Sequence, residues 1–174
     1  MTEEQRIMEF CEITRGIFTS KQVEQLVEMG YFRVPASLKH HGTEEWDLYQ
    51  HSKMIYLQLE EYTQKLYLSW KARRSPIVIA FLHDLCKADD YVLEDGKYVW
   101  NKSSMLAGHG DKSAIMALQL FPELTDEEVM CIRYHMGAYE DKDKWESLGN
   151  AIKRHPNILW VHQEDMIASK IWKV

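Results

Sequence analysis

The residues best suited to chemistry in this chain are its histidines and a few aspartates. Eight histidines among 174 residues is the one unusual count in the composition. His83 and Asp84 are adjacent, directly after the apolar run Ile77 to Leu82 and ahead of Leu85, Cys86 and Lys87. Neighbouring side chains on a helix project about 100° apart, so both can reach an ion beside the axis. An ionisable pair at the end of a buried stripe is costly unless something compensates it. A metal ion does so, because it favours the neutral imidazole and the ionised carboxylate. The alternative is a helix end that frays into water.

Asp165 stands inside a second apolar stripe, formed by Ile158, Val161, Ala168 and Trp172. A carboxylate is rarely buried unless it is paired or coordinating. The alternatives are a helix turned so that Asp165 meets solvent, or an Arg or Lys partner. His51 opens the stripe Ile55, Leu59, Tyr62, Leu66; His135 follows Val129 and Ile132; His109 lies between Gly108 and Gly110 at a loop-to-helix junction. Each histidine alone reads more naturally as a core residue. Together, four histidines and two aspartates at apolar stripes or helix edges can converge, and inward ligands from facing helices are how bundles build metal sites. Imidazole with carboxylate suits Mn, Fe, Co, Ni, Zn or Mg.

Several cations and carboxylates lie near these positions. Lys87 follows His83 at i+4, where it can lean over the same site and hold a phosphate as a point charge; a lysine favoured by the helix dipole is the alternative. Lys39, His41 (not separable from His40) and Arg133 are further candidates for phosphate or leaving-group contacts, although Arg133 sits roughly opposite His135 and reads as a surface residue. Asp111 and Lys112 read as exposed charges at a helix start, with ligand orientation as the alternative. His155 and His162 fit no ligand position.

The elements that must position these groups are mostly helices. The patterning predicts helices over 3–15, from a Ser20 cap to Met29, over 48–71, from Pro76 to about Lys87, over 110–121, over roughly 126–136 behind a Thr125/Glu128 capping box, over 144–152, and from Pro156 to about Trp172. Residues 31–47 read as a loop. Tyr91 to Leu93 and Tyr98 to Trp100, with Asp95 and Gly96 between them, predict a β-hairpin. The hairpin falls between two candidate ligand segments and is expected at the rim. Trp46, Trp100 and Tyr139 fall in loops near the expected mouth, where one could stack on a base. The remaining tryptophans read as packing.

Length predicts one domain, residues 1–174. A 45% hydrophobic and 28% charged composition excludes disordered and low-complexity classes. The longest apolar run, six residues, is far short of a membrane span. Met1 to Arg6 carry Glu3 and Glu4 and no apolar signal segment, so a cytoplasmic protein is expected. A net charge of −6 disfavours long nucleic acid as a partner while allowing a small nucleotide in one local positive site. Cys11, Cys86 and Cys131 have apolar neighbours and read as buried, reduced thiols. The Trp and Met content permits a homodimer face.

The ordered series His51, His83-Asp84, His109, His135, Asp165 resembles the HD superfamily of metal-dependent phosphohydrolases. Leu48 to Ser52 is similar to that family's L-x-x-H-S, His83 to Lys87 to its H-D-[IL]-x-K, and Asp165 to Ser169 to its closing D-x-[IL]-[AS]-S. The likeness spans roughly residues 31–172. The loop Val34 to Gly42 resembles one that precedes the first ligand in some members, including exoribonuclease-like ones; there Gly-Gly follows, where this chain has Glu45, Trp46 and Asp47.

The resemblance implies an all-α, single-domain bundle of the HD type with one small hairpin near 91–100, its core at about 31–172 and helices 3–30 packed on it. It implies that His51, His83, Asp84 and Asp165 hold one divalent ion. His109 and His135 then hold a second, with Asp84 bridging. Two ions about 3.5–4 Å apart can clamp a phosphoryl group and lower the pKa of a water between them. The implied activity is hydrolysis of a phosphomonoester or phosphodiester of a nucleotide-like substrate, with Asp84 and Lys87 catalytic and Lys87, His41 and Lys39 binding substrate. The alternatives are a di-iron oxygenase, since a few HD members use the same ligand order, and a module that binds a nucleotide without turnover.

Overall fold

The computed structural model describes residues 1–38, 47–105 and 108–173. The expected architecture holds: helices throughout, with a single small hairpin among the described residues. In chain order they are α1 (Glu3–Ile13), α2 (Ser20–Glu28), α3 (Leu48–Leu66), α4 (Ser75–Leu82), α5 (Lys87–Asp90), the strands β1 (Tyr91–Glu94) and β2 (Lys97–Trp100), α6 (His109–Leu120), α7 (Asp126–Tyr134), α8 (Trp145–Arg154) and α9 (Asn157–Ile167). Short 3₁₀ turns at Gly137–Tyr139 and Lys142–Lys144 join α7 to α8, and a π-helical turn, Ala168–Trp172, extends α9. No helix among the described residues is long and apolar enough to cross a membrane.

The centre of the fold is α4. Its sequence, Ser-Pro-Ile-Val-Ile-Ala-Phe-Leu, is apolar all round, and every residue but Ile77 is buried. A helix without a polar face must be surrounded; α3, α6 and α7 pack on it, and α9 packs on α3 and α7. Its start is fixed by acids from α7: Glu128 accepts from Ser75 Oγ at 3.0 Å and from Arg74 Nε at 3.3 Å. Glu127 accepts from the backbone N–H of Lys71 at 2.6 Å and from Asn157 Nδ2 at 3.1 Å. The N-terminal helix is held by Phe10, whose ring meets Phe18, Tyr31, Phe32, Tyr49 and Phe81 at centroid distances of 5.0–6.5 Å.

Local chemistry sets the helix ends, and some differ from expectation. Thr19 rather than Ser20 caps α2, because the Gln22 side chain closes a capping box with it. The third helix stops at Leu66 instead of 71: Tyr67 is left-handed, φ 54°, and Trp70 folds back to donate its indole N–H to Thr63 Oγ1 at 2.8 Å. The expected helix from Pro76 to Lys87 is two pieces. Beyond Leu82 the backbone tightens to i→i+3 bonds, Leu85 N–H to Leu82 O, Lys87 N–H to Asp84 O and Ala88 N–H to Leu85 O. The Thr125/Glu128 capping box forms as expected. The hairpin pairs Tyr91 with Trp100 and Glu94 with Lys97. Asp95 and Gly96 both have positive φ, as an Asp-Gly turn requires.

Cys11 is exposed, contrary to expectation, because its neighbour Phe10 takes the inward position on α1; Cys86 and Cys131 are buried. Lys112 is also not the exposed charge expected. It is fully buried and pairs with Asp89 and Asp90, tying α6 to the base of the hairpin.

Two glycines on helices make opposite predictions. A Cβ on Gly110 would run into the carbonyl oxygen of Arg133, whereas one on Gly149 meets nothing within 4 Å. Gly110→Ala must push α6 from α7 and should cost about 1–3 kcal/mol, as overpacking does. Gly149→Ala should gain about 0.5–1 kcal/mol, the helix cost of glycine relative to alanine. Urea unfolding of both variants checks the pair of signs.

Candidate metal centre

Five helix ends meet at one carboxylate. His51 lies in the first turn of α3, whose cap, Asp47, accepts from the Gln50 N–H at 2.9 Å and pairs with Arg6 at 2.7 Å. His83 closes α4, and Asp84 follows in the tightened turn. His109 is the first residue of α6, His135 closes α7, and Asp165 is in the last turn of α9. Positive helix N-termini at α3 and α6 favour an anion between them.

The anion there is Asp84, and its two oxygens address different partners. Oδ2 lies 3.5 Å from His51 Nε2 and 3.4 Å from His83 Nε2, and it accepts from Lys87 Nζ. Oδ1 lies 2.6 Å from His109 Nε2 and 3.4 Å from His135 Nε2. Asp165 Oδ1 is 3.3 Å from His51 Nε2 and accepts from Ser169 Oγ at 3.2 Å. The six residues singled out as ligands from the sequence therefore all come together. Lys87 joins them through the tight turn rather than through α-helical spacing. Lys39 and His41 lie outside the described residues, as do His40 and Trp46.

The site is deep, and three of its side chains are partly exposed. The side chains of His51, His83, Asp84 and His135 are at most 3% exposed, whereas His109 is 32%, Lys87 15% and Asp165 14% exposed. Trp100 and Tyr139 are exposed aromatics, and the Trp100 ring meets the Tyr91 ring edge-on at 5.1 Å. The hairpin starts close to the site in the chain, since β1 follows directly on α5, which begins at Lys87.

Ring tautomers follow from the outer contacts. His83 Nδ1 is 2.8 Å from the Ala80 carbonyl and His135 Nδ1 is 2.7 Å from that of Ile132. A carbonyl oxygen only accepts, so both rings donate from Nδ1 and turn Nε2 toward Asp84. Neither Nε2 has a hydrogen-bond partner, and both are buried. A neutral imidazole lone pair facing a carboxylate at 3.4 Å is an acceptor against an acceptor. That arrangement calls for a cation or a proton between them, and an outer carbonyl that fixes the ring is the usual support of a metal-binding histidine.

Charge points the same way. Asp84 and Asp165 bring two negative charges against the single ammonium of Lys87. Burial pushes the Asp84 carboxyl up, but Lys87, His83 and His109 overcome it and hold it well below the usual range. Asp165 is likewise raised by burial and brought down further by His51. Burial lowers His83. Burial also lowers His135, yet there the contact with Asp84 more than offsets it. Burial disfavours the Lys87 ammonium, but the Asp84 charge more than compensates and raises it.

The donor set could therefore hold a metal ion. One ligand atom from each of His51, His83, Asp84 and Asp165 lies within 4.8 Å of the others. Asp84, Cys86 and His109 form a second such group. Cys86 was not among the residues expected to matter, although it lies inside the His83 to Lys87 segment. His162, which fits no ligand position, supports one: its Nδ1 donates to the His135 carbonyl at 2.8 Å, and a Cβ on Gly137 would lie 2.5 Å from its ring. Arg133 is not the surface residue expected. Its side chain is largely buried, pairing with Asp111 and with Glu140 at 2.7 Å. His155 stands 3.8 Å from Asp126, away from the site.

No family model, curated protein or solved structure matches the chain.

In chelator-stripped protein the two carboxylates predict a direction for acid stability. Their folded pKa values lie below the unfolded value of about 3.9, so their contribution is complete above that value and is lost as pH falls through the depressed ones. Asp165→Asn should remove its share and flatten the acid limb of stability. Urea unfolding between pH 3 and 7 measures this; an unchanged limb contradicts it.

Proposed function

We propose that this chain is a metal-dependent phosphohydrolase of the HD type, acting on a phosphomonoester or phosphodiester of a nucleotide-like substrate. The observation that carries this is the division of Asp84: one oxygen faces His51 and His83, the other His109 and His135. A carboxylate placed in this way can bridge two cations. His51, His83, Asp84 and Asp165 would hold the first, and His109 and His135 with Asp84 the second. Such ions supply a water of lowered pKa and positive charge for the non-bridging phosphoryl oxygens.

The chain's own groups have separate tasks. His83 and His135 are locked through Nδ1 and keep the ligand geometry. Asp165 accepts from Ser169 Oγ, is partly exposed and can orient the attacking water. Lys87 pairs with Asp84 Oδ2. Were a cation held at that oxygen, the Lys87 ammonium would be available to bind a substrate phosphate as a point charge. Trp100 and Tyr139 are the aromatics available for stacking on a base. The net negative charge supports a small nucleotide over a long polymer.

Metal analysis of protein prepared without chelators, paired with a screen of nucleoside phosphates and cyclic nucleotides, tests the reading. Phosphate release should depend on the metal, and Asp84→Ala or His83→Ala should abolish metal and activity together. Full activity after dialysis against EDTA contradicts the proposal. Iron with oxygen uptake supports an oxygenase instead, and nucleotide binding without turnover supports a binding module.

Lys87→Ala makes a sharper prediction. Turnover should fall at least tenfold, the order expected when a charge contact to the transition state is lost. Divalent-ion affinity should hold or rise, because the competitor at Oδ2 is gone. Loss of the ion in this variant, read by titration calorimetry, contradicts the role given to Lys87.

A further inference from the structure

His109 is held differently from the buried rings of the site. His83 and His135 each donate from Nδ1 to a carbonyl three residues earlier. His109, at the start of α6, has no helical carbonyl behind it, and its Nδ1 instead lies 3.2 Å from Cys86 Sγ. Its Nε2 is 2.6 Å from Asp84 Oδ1. A carbonyl can only accept a hydrogen bond, whereas a thiol can donate or accept. The thiol is buried. Ser113, one turn beyond His109 on α6, contacts the same cysteine: its Oγ accepts from the Cys86 N–H at 3.2 Å.

We propose that Cys86 is the positioning residue of His109, and that its two-way hydrogen bond lets this one ring switch from guarding Asp84 to binding a cation. Without a cation, the Cys86 S–H donates to Nδ1, and the Nε2–H donates to Asp84 Oδ1. When Nε2 turns to ligation, Nδ1 carries the hydrogen and donates to Sγ, and the S–H rotates away from the ring. One proton moves from Nε2 to Nδ1 by way of solvent; the ring stays neutral and the sulfur keeps its proton. His109 is also the most exposed of the six residues, so the ring that exchanges is the one solvent reaches. A neighbouring buried Nε2, that of His135, has no hydrogen-bond partner and faces the same Asp84 oxygen, which marks where the cation would lie. The inference rests on the metal-centre reading given above.

Cys86→Ala and Cys86→Ser test it. In chelator-stripped protein, long-range 15N–1H correlation should show His109 with its hydrogen on Nε2. It should become a mixture of tautomers in Cys86→Ala and return to the wild-type form in Cys86→Ser, whose hydroxyl also donates and accepts. On titration with Zn(II), wild-type protein should bind two ions. In Cys86→Ala one of them should bind about ten- to a hundredfold more weakly, the usual effect of removing a ligand's outer partner, with the other unchanged; Cys86→Ser should recover the loss. The serine variant separates loss of this contact from loss of the fold.

Identical His109 spectra and identical binding in wild type and Cys86→Ala overturn the proposal. So does a thiolate-to-cobalt charge-transfer band in the Co(II)-loaded protein, which would make Cys86 a ligand. If wild-type protein binds no ion, the metal-centre reading fails by itself, and the spectra of the stripped protein still decide whether Cys86 sets the His109 tautomer.

Discussion

A carboxylate buried among imidazoles governs this structure. Asp84 is almost wholly removed from water, and an ionised carboxylate in that position is costly unless neighbours compensate it. The fold compensates by bringing helix termini rather than helix flanks to the site. The starts of α3 and α6 offer positive dipole ends. The ends of α4 and α7 place rings whose Nδ1 atoms are anchored on the preceding turn. Lys87 adds one ammonium. These groups leave two carboxylates against a single fixed positive charge, together with imidazole nitrogens aimed inward. The remaining demand is for cationic charge, and the donor types suit a borderline divalent ion.

The rest of the architecture keeps that meeting point in place. An apolar α4 must be enclosed, so whatever follows Leu82 begins inside the protein. The tightened turn from Leu82 to Ala88 then brings Asp84, Cys86 and Lys87 to one locality within a few residues. Gly110 lets α6 approach the end of α7, and Gly137 makes room for the His162 ring that supports the His135 carbonyl. At the opposite end of α4, Glu127 and Glu128 pin its start to α7 and to the head of α9. The hairpin is rooted by the buried Lys112 and its two aspartates.

Much of this was legible in the residues. Helical periodicity placed His51 and Asp165 on inward faces, and the Asp-Gly pair located the hairpin. What escaped depended on contacts between distant segments or on local backbone tightening. The break after Leu82 has no marker such as proline or glycine; it follows from seating Asp84 among its partners. Lys112 looks like an ordinary helix-start charge until Asp89 and Asp90 close on it. The Cys86–His109 contact joins residues 23 apart, and no spacing rule suggests it. The support that His162 gives to the His135 carbonyl depends on α9 crossing the end of α7, which no local pattern announces.

The most direct measurement is anomalous scattering at a metal absorption edge, from crystals of protein grown with Mn(II) or Zn(II) and without chelator. A peak should appear within bonding distance of His83 Nε2 and Asp84 Oδ2, with His51 and Asp165 completing its surroundings. A map with no anomalous density at these atoms, with Lys87 still seated on Asp84, would mean that the charges balance without an ion and that the cluster is a structural ion-pair network.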